Sequence, residues 1–517
     1  MNEPTKGASS SHDVVIVGLG PVGAFAALQL AESGLRVAVV ERSPEHVILP
    51  RAVGIDGEAL RACQRIGIGD TVDAIVQPPR ERDEVCFTDS RHDRLFGLEI
   101  PKLGFHGWRD IAFFDQPELE ALLRDLVARN DRIDVFLGEE VVALDQDDDE
   151  VVLECEGAGG SRSLRAAYAI GCDGAASFVR RAVGIDWLSL GYDQDWLVID
   201  ILQKPEADLP LATMQVCDPE RLTTYVCVKD PNRRWEFQLL PGETREQMLR
   251  PEKIRELLDP WLPPEHYDLR RAAVYQFHAA TAARWQVGRV FLAGDAAHQT
   301  PPFLGQGLNA GFRDAVNLGW KLPLVLAGAC DPRLLESYAE ERDAHARDLV
   351  EWAVAVGKLM ETLAAQEAGR PNPHPNVDHS AGYGQGRTAP PLRGGVLVDA
   401  QVRDDGAVGN LMRQPSVRTP GGSTVRLDEL LGKGFAVVGR KPGDLQMGAE
   451  AAAVVERLGA RTLSLSDLEL AEGSLDSLFD SHPAVVLRPD RYVFGVVDDA
   501  WSLDRLLGQL ASRLALR

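Results

Sequence analysis

The sequence predicts an α/β protein, α+β in overall content, built on a dinucleotide-binding domain that is discontinuous along the chain. Three observations predict it: a strand-turn-helix signature over residues 13–23, strand-like runs over 196–277, and a return to a buried strand at 289–293 followed by a long helical pattern. The outer segments read as one parallel-sheet domain, and the strand-rich stretch between them reads as a second, mostly antiparallel one.

Within the signature, Val14, Val15, Ile16 and Val17 form a β-branched run that predicts a buried strand, followed by Gly18-Leu19-Gly20-Pro21-Val22-Gly23. Gly18 permits the tight turn, Gly20 lets backbone approach a pyrophosphate, and Gly23 lets helix and strand pack closely. The phosphates are expected at the helix N-terminus. A second strand over 35–41 delivers Glu41, with Arg42 behind it, where a carboxylate accepts hydrogen bonds from ribose hydroxyls. These residues specify a Rossmann-like dinucleotide site without separating FAD from NAD.

At 517 residues the chain exceeds one core, so two or three domains are expected. Seventy-eight acidic residues against 55 basic ones give a net charge of -23, which argues against nucleic acid or an anionic membrane as partner. Seven cysteines lie far apart with no CxxC pair, a pattern of core-filling thiols in a reducing compartment and not of metal ligands. Residues 1–12 are polar and Ser-rich and are expected to be a disordered leader. No apolar run has the length of a membrane span, and a cytoplasmic protein is expected.

Helices are expected over 55–66 and 114–126, a hairpin over 135–155, and a strand over 167–172 ending in Asp173-Gly174. Residues 13–188 and 282–370 are assigned to the dinucleotide domain and 189–281 to the sheet domain. Prolines and glycines without periodicity mark 371–395 as a linker. Beyond it, 396–517 alternates strands and helices as a further α/β domain without cysteine.

Three separated segments carry a resemblance: Gly18 to Gly23, Asp173-Gly174-Ala175-Ala176-Ser177-Phe178-Val179-Arg180, and Gly294-Asp295-Ala296-Ala297-His298 continuing through Pro302, Gly305, Gly307, Leu308 and Asn309. In order and spacing they resemble the single-component (class A) FAD-dependent aromatic hydroxylases, and 195–200, 223–226 and 233–237 are most similar to the 3-(3-hydroxyphenyl)propionate hydroxylase branch. The resemblance implies FAD as cofactor, with the first motif on its ADP half, Asp173 and Gly174 where flavin and nicotinamide approach, and Asp295 on the ribityl side. Arg51, Gln116 and the backbone at Val141 look like further cofactor contacts. Pro302, Gly305 and Gly307 resemble the flavin-ring loop, whose following helix stabilises the anionic reduced flavin. Residues 189–281 then become a substrate-binding domain and 396–517 a thioredoxin-like domain, structural or oligomeric because it lacks thiols.

Family chemistry implies that NADH or NADPH, bound transiently, reduces FAD, and that a flavin C4a-hydroperoxide hydroxylates a phenol ortho to its hydroxyl. A dry pocket is required. Trp108, Tyr225, Trp235 and Phe237 are candidates to line it, though aromatics on strands equally read as ordinary core. His298 reads as held by its turn more readily than as a base, and no catalytic residue is assigned beyond the flavin-ring loop. The glycines at 382–386 lack a following helix and do not make a second nucleotide site. The partners expected are a small aromatic substrate and O2, with a homo-oligomer left open. A tailoring hydroxylase of a polyketide phenol or hydroxypyridine stands as an alternative, and a flavoprotein reductase or oxidase, or a non-catalytic flavin binder, stands further off.

Overall fold

The β-branched run becomes the central strand His12–Val17, in which Val14, Val15 and Ile16 are wholly buried. It pairs in parallel with Val37–Glu41 on one side and Gly160–Gly171 on the other, and Ile133–Leu137 and Val290–Leu292 extend the parallel core. Strands covered on both faces read as continuous apolar runs, which is why this core is visible in the sequence. The computed structural model describes residues 12–46, 50–80, 83–376, 389–403, 406–475 and 477–517. Nearly all of the expected leader and the glycine-rich stretch 382–386 lie outside these residues.

The helix Pro21–Glu32 packs on the helix Gly307–Leu326, with Phe25 and Phe312 stacked at 4.2 Å. Chain segments nearly three hundred residues apart therefore close one domain. Two local expectations change. The stretch 135–144 divides at Gly138, φ +72°, so that Ile133–Leu137 joins the parallel sheet and Glu139–Gln146 forms a hairpin with Val151–Gly157. The expected helix from residue 55 starts instead as the strand Gly54–Asp56, and Asp56 caps the helix Gly57–Arg65 by accepting from the Ala59 N–H at 2.9 Å.

The second sheet orders His298–Gln299, Tyr267–Ala282, Trp187–Gln203, Asn232–Gln238, Thr223–Val226, Thr213–Val216, Glu84–Thr88 and Arg94–Glu99. It is antiparallel except where Thr213–Val216 meets Glu84–Thr88. The strands at 84–99 thus reach the second sheet from a segment that the sequence groups with the dinucleotide domain.

In the C-terminal domain Arg461–Ser464, Ala436–Gly439, Ala484–Leu487 and Val493–Val496 form a sheet in that order, the first pair parallel and the rest antiparallel. With the helices Ala449–Arg457 and Leu503–Arg513 packed together, this is a thioredoxin-like arrangement. Glu341 anchors it: its buried carboxylate receives Lys321 Nζ at 2.8 Å, Asn317 Nδ2 at 2.6 Å, Arg488 Nη2 at 2.7 Å and the Val396 N–H at 2.8 Å. Among the described residues, no helix is long and apolar enough to cross a membrane.

Candidate active site

Two adjoining cavities of about 280 and 320 Å3 share Gly20, Pro21, Arg51, Gln116, Cys172 and Gly174 and make one cleft past the carboxyl ends of the parallel strands. At its outer end lie Gly18, Glu41, Arg42, Val141 and Asp173. The Glu41 carboxylate is held by backbone on both oxygens, from Leu19 N–H at 2.8 Å and Ser43 N–H at 2.8 Å.

The three glycines of the turn divide by task. Gly18 has φ +102°, and a Cβ there would lie 2.5 Å from the Cys172 carbonyl oxygen; at Gly23 a Cβ would lie 2.0 Å from the Gly18 carbonyl oxygen. A Cβ at Gly20 meets nothing within 4 Å, because that position faces the open cleft. Leu19 and Gly23 build the turn from behind and do not line the cleft.

Midway, Gln116 Oε1 accepts from the N–H groups of Arg51 and Ala52 at 3.1 and 2.5 Å, holding that segment along the cleft. Asp173 accepts from the Val179 N–H at 3.0 Å through Oδ2, while its Oδ1 is buried without a partner among the described residues. An orphaned acceptor on a cleft wall costs free energy unless a donor meets it. It suits the hydroxyls of a dinucleotide, so the residues present fit FAD.

The inner end is walled by Val22, Asp295, Pro302, Leu308 and Asn309, with Gly174, Gly305 and Gly307 leaving open space where side chains would stand. Asn309 fixes this loop: its Oδ1 accepts from the Asp56 N–H at 3.0 Å and its Nδ2 donates to the Gly305 carbonyl at 2.8 Å. The helix Gly307–Leu326 starts here, so its N–H groups and positive dipole end can face a flavin ring. His298 stands apart. Its Nε2 lies 2.8 Å from Asp314 Oδ2, both side chains fully buried, and its ring stacks on Trp285. Burial would raise the Asp314 carboxyl, but His298, Arg342 and the Gly294 N–H together hold it below the usual carboxylate range. His298 is an anchor of the turn.

The aromatic candidates for the substrate wall need correction. Tyr225, Trp235 and Phe237 are buried on the far face of the sheet, where Tyr225 stacks on Trp261 and donates to the Pro210 carbonyl at 2.8 Å. Successive residues of a strand point to opposite faces, so their neighbours face the cleft instead. Trp108 lies elsewhere, donating to Gln64 Oε1 at 2.9 Å beneath the Arg426 guanidinium, 3.6 Å above its ring.

The cleft face of the sheet presents Thr213, Gln215, Thr224, Val226, Arg234 and Glu236. Gln215, Thr224 and Glu236 stand side by side across three strands in register. Arg234 donates to Asp200 Oδ1 at 2.7 Å and to the carbonyls of Pro50 and Arg51 at 2.6 and 2.5 Å, and Arg271 meets the other Asp200 oxygen at 3.0 Å. The Glu236 carboxyl is pushed up to about 7: burial raises it most, Arg234 opposes, Asp200 adds to the rise and Arg271 opposes. The signal for these residues is the polar parity of buried strands such as Arg234-Trp235-Glu236-Phe237.

A family model described as FAD binding domain matches residues 11–353, and one described as HcaD C-terminal domain matches 409–513. Curated relatives named 3-(3-hydroxy-phenyl)propionate/3-hydroxycinnamic acid hydroxylase are 34% identical: one from Burkholderia vietnamiensis covers 94% of this chain and 93% of its own, and one from Escherichia coli covers 98% and 94%. The crystal structure of aklavinone-11 hydroxylase with FAD and aklavinone superposes with a TM-score of 0.82 at 26% identity, covering 98% of this chain and 99% of that one. The chain belongs to the family of FAD-binding aromatic hydroxylases and is an FAD-dependent aromatic monooxygenase.

Proposed function

We propose that this enzyme hydroxylates a phenolic ring ortho to its existing hydroxyl, consuming NADH or NADPH and O2. The observation that carries the reading is the transverse row Gln215, Thr224 and Glu236, which faces the flavin-ring loop across the cleft. FAD, when bound, supplies the electron transfer and oxygen activation.

The chain's residues do the rest. Thr224 and Gln215 orient the substrate hydroxyl through their paired side chains. The Glu236 carboxyl, buried and close to neutrality in its affinity for protons, takes the phenol proton and leaves the ring electron-rich. Val85, Ile111, Phe113, Val226, Phe303 and Leu304 make the cleft apolar around that row and exclude water from the reacting ring. Gln116, Asp173, Glu41 and the open faces of Gly20, Gly305 and Gly307 serve the cofactor.

The 34% identity to enzymes named for 3-(3-hydroxyphenyl)propionate and 3-hydroxycinnamate favours a hydroxyaryl carboxylate as substrate. The superposition on aklavinone-11 hydroxylase favours a second reading, a tailoring hydroxylase of a polycyclic phenol. NAD(P)H and O2 consumption with both compound classes, with products identified by mass, tests this. Consumption coupled to a catechol-type product from the simple acids supports the first reading, and coupling with polycyclic phenols alone supports the second. Flavin reduction that no phenol accelerates sinks both.

A further inference from the structure

A separate cavity of about 300 Å3 lies between the flavin domain and the thioredoxin-like domain, a volume at the lower end of the range for small-molecule sites, roughly 300–1,000 Å3. One wall comes from the helices Gly57–Arg65 and Gly307–Leu326, and the other from residues 428–433 and 489–492. Exposed Glu429 and Lys433 stand at its mouth.

Its charges are unevenly matched. Arg61 and Arg491 share Asp428, Arg313 pairs with Asp56 and Glu58, and Arg342 pairs with Asp314. Arg65 has no carboxylate within ion-pair distance among the described residues, and its guanidinium donates only to the Pro489 carbonyl. Burial most, then the neighbouring Arg491 charge, pull the Arg65 guanidinium down to about 10, against the partial support of Asp490 and Asp428. A half-buried cation so placed favours an added anion. On the same cavity, Asn317 is 3% exposed and gives Nδ2 to Glu341, leaving its Oδ1 buried without a partner among the described residues. That atom calls for a donor. The same cavity is lined by Ala59, Ala62, Phe312, Val316 and Tyr492, whose apolar surface suits an aromatic ring.

We infer that this interdomain cavity is a second ligand site, taking a hydroxyaryl carboxylate whose carboxylate meets Arg65 and whose hydroxyl donates to Asn317. The site reaches the flavin by a short path. Tyr492 donates to Glu58 at 3.3 Å, Arg313 joins Glu58, Asp56 and Gln306 at 2.6, 2.6 and 2.8 Å, and Asp56 is bonded to Asn309 of the flavin-ring loop. This hydrogen-bonded path joins the interdomain cavity to the flavin-ring loop.

The ligand class follows from the cavity lining alone. The test counts sites without turnover, so failure of the hydroxylase reading leaves it intact. Binding of 3-(3-hydroxyphenyl)propionate to the FAD-loaded protein is measured by calorimetry with no reductant present, in the native chain and with the cleft blocked by Thr224→Trp. Binding retained in Thr224→Trp and weakened roughly tenfold to a hundredfold by adding Arg65→Gln is the expected result. Ala62→Trp, which fills the cavity without touching an ion pair, should remove the same site from an otherwise native chain. Loss of all binding once the cleft is blocked, binding in the cleft-blocked Thr224→Trp chain that survives the addition of both Arg65→Gln and Ala62→Trp, or equal displacement of the probe by inorganic phosphate overturns the inference.

Discussion

Thr224 Oγ1 donates to Gln215 Oε1 at 2.6 Å across adjacent antiparallel strands, and Gln215 Nε2 reaches the Phe303 carbonyl of the flavin-ring loop at 3.4 Å. The second sheet and the 302–309 loop are thereby joined by side chains that both line the cleft. Thr224→Val keeps the shape and removes the hydroxyl, leaving the buried Gln215 oxygen without its donor. We expect kcat/KM to fall roughly tenfold. Tyr225→Phe, one position along on the far face, should cost about 1 kcal/mol of stability and leave kcat/KM nearly unchanged. Steady-state kinetics and urea denaturation of both variants check this, and the reverse pattern would refute the assignment of faces.

Glu236 makes stability depend on pH in a predictable direction. Its carboxyl titrates near 7 in the folded protein against an ordinary 4.5, so the folded state holds more protons than the unfolded state between those values. The stability tied to its neutral form is complete below about pH 4.5 and is lost as pH rises through 7, on the order of 3 kcal/mol across the window. Glu236→Gln mimics the neutral form at every pH. It should flatten the fall of the urea midpoint between pH 5 and pH 8 and stabilise the protein at the upper end, while abolishing the acid limb of the kcat profile. An unaltered pH profile of stability in this variant would remove Glu236 from both roles.

The parallel core and the outer half of the cleft are legible in the sequence because their signals are local. Val14 to Val17, the glycine turn and Glu41 lie within thirty residues, and each constraint acts on backbone within one strand, turn and helix. The sheet face that lines the cleft is not legible in the same way. In Arg234-Trp235-Glu236-Phe237 both faces of the strand are buried, the aromatics with Trp261 and the Pro251–Leu258 helix and the polar residues on the cleft side. The usual contrast between an apolar inside and a polar outside therefore fails, and only the tertiary arrangement says which face lines the cleft. The strands at 84–99 are missed as sheet partners for a related reason, since their pairing with Thr213–Val216 spans more than a hundred residues.

The division of labour among the turn glycines separates cofactor binding from folding. Gly20→Val places its side chain in open cleft with an ordinary φ of -74°, so the apoprotein should keep its denaturation midpoint while FAD affinity falls at least about tenfold. Gly18→Ala forces a side chain onto φ +102° against the Cys172 carbonyl and should destabilise the apoprotein itself, by about 1–3 kcal/mol from the backbone alone. Flavin content by absorbance and apoprotein melting distinguish the two. Equal melting losses in both variants would show that Gly20 is also needed for packing.

Glu341 holds two buried cations, and its removal should have a pH signature opposite to that of Glu236. Lys321 is drawn down to about 8: burial lowers it most, Glu341 opposes, and Arg488 lowers it further. Because its folded affinity for a proton is below its unfolded one, folding releases protons between about 8 and 10.5, and stability rises with pH there. Glu341→Gln removes the charge that supports protonated Lys321, leaving a buried ammonium beside Arg488, at a cost of about 3–5 kcal/mol near neutrality. Lys321 can then escape the penalty by losing its proton, so the window opens below pH 8 and the deficit of the variant should shrink as pH rises from 6 to 9. Arg488→Met should lack this recovery, since Glu341 keeps Lys321 paired. Urea midpoints across that range decide the matter: a deficit in Glu341→Gln that stays constant or grows with pH would mean that stranded Lys321 is not its source.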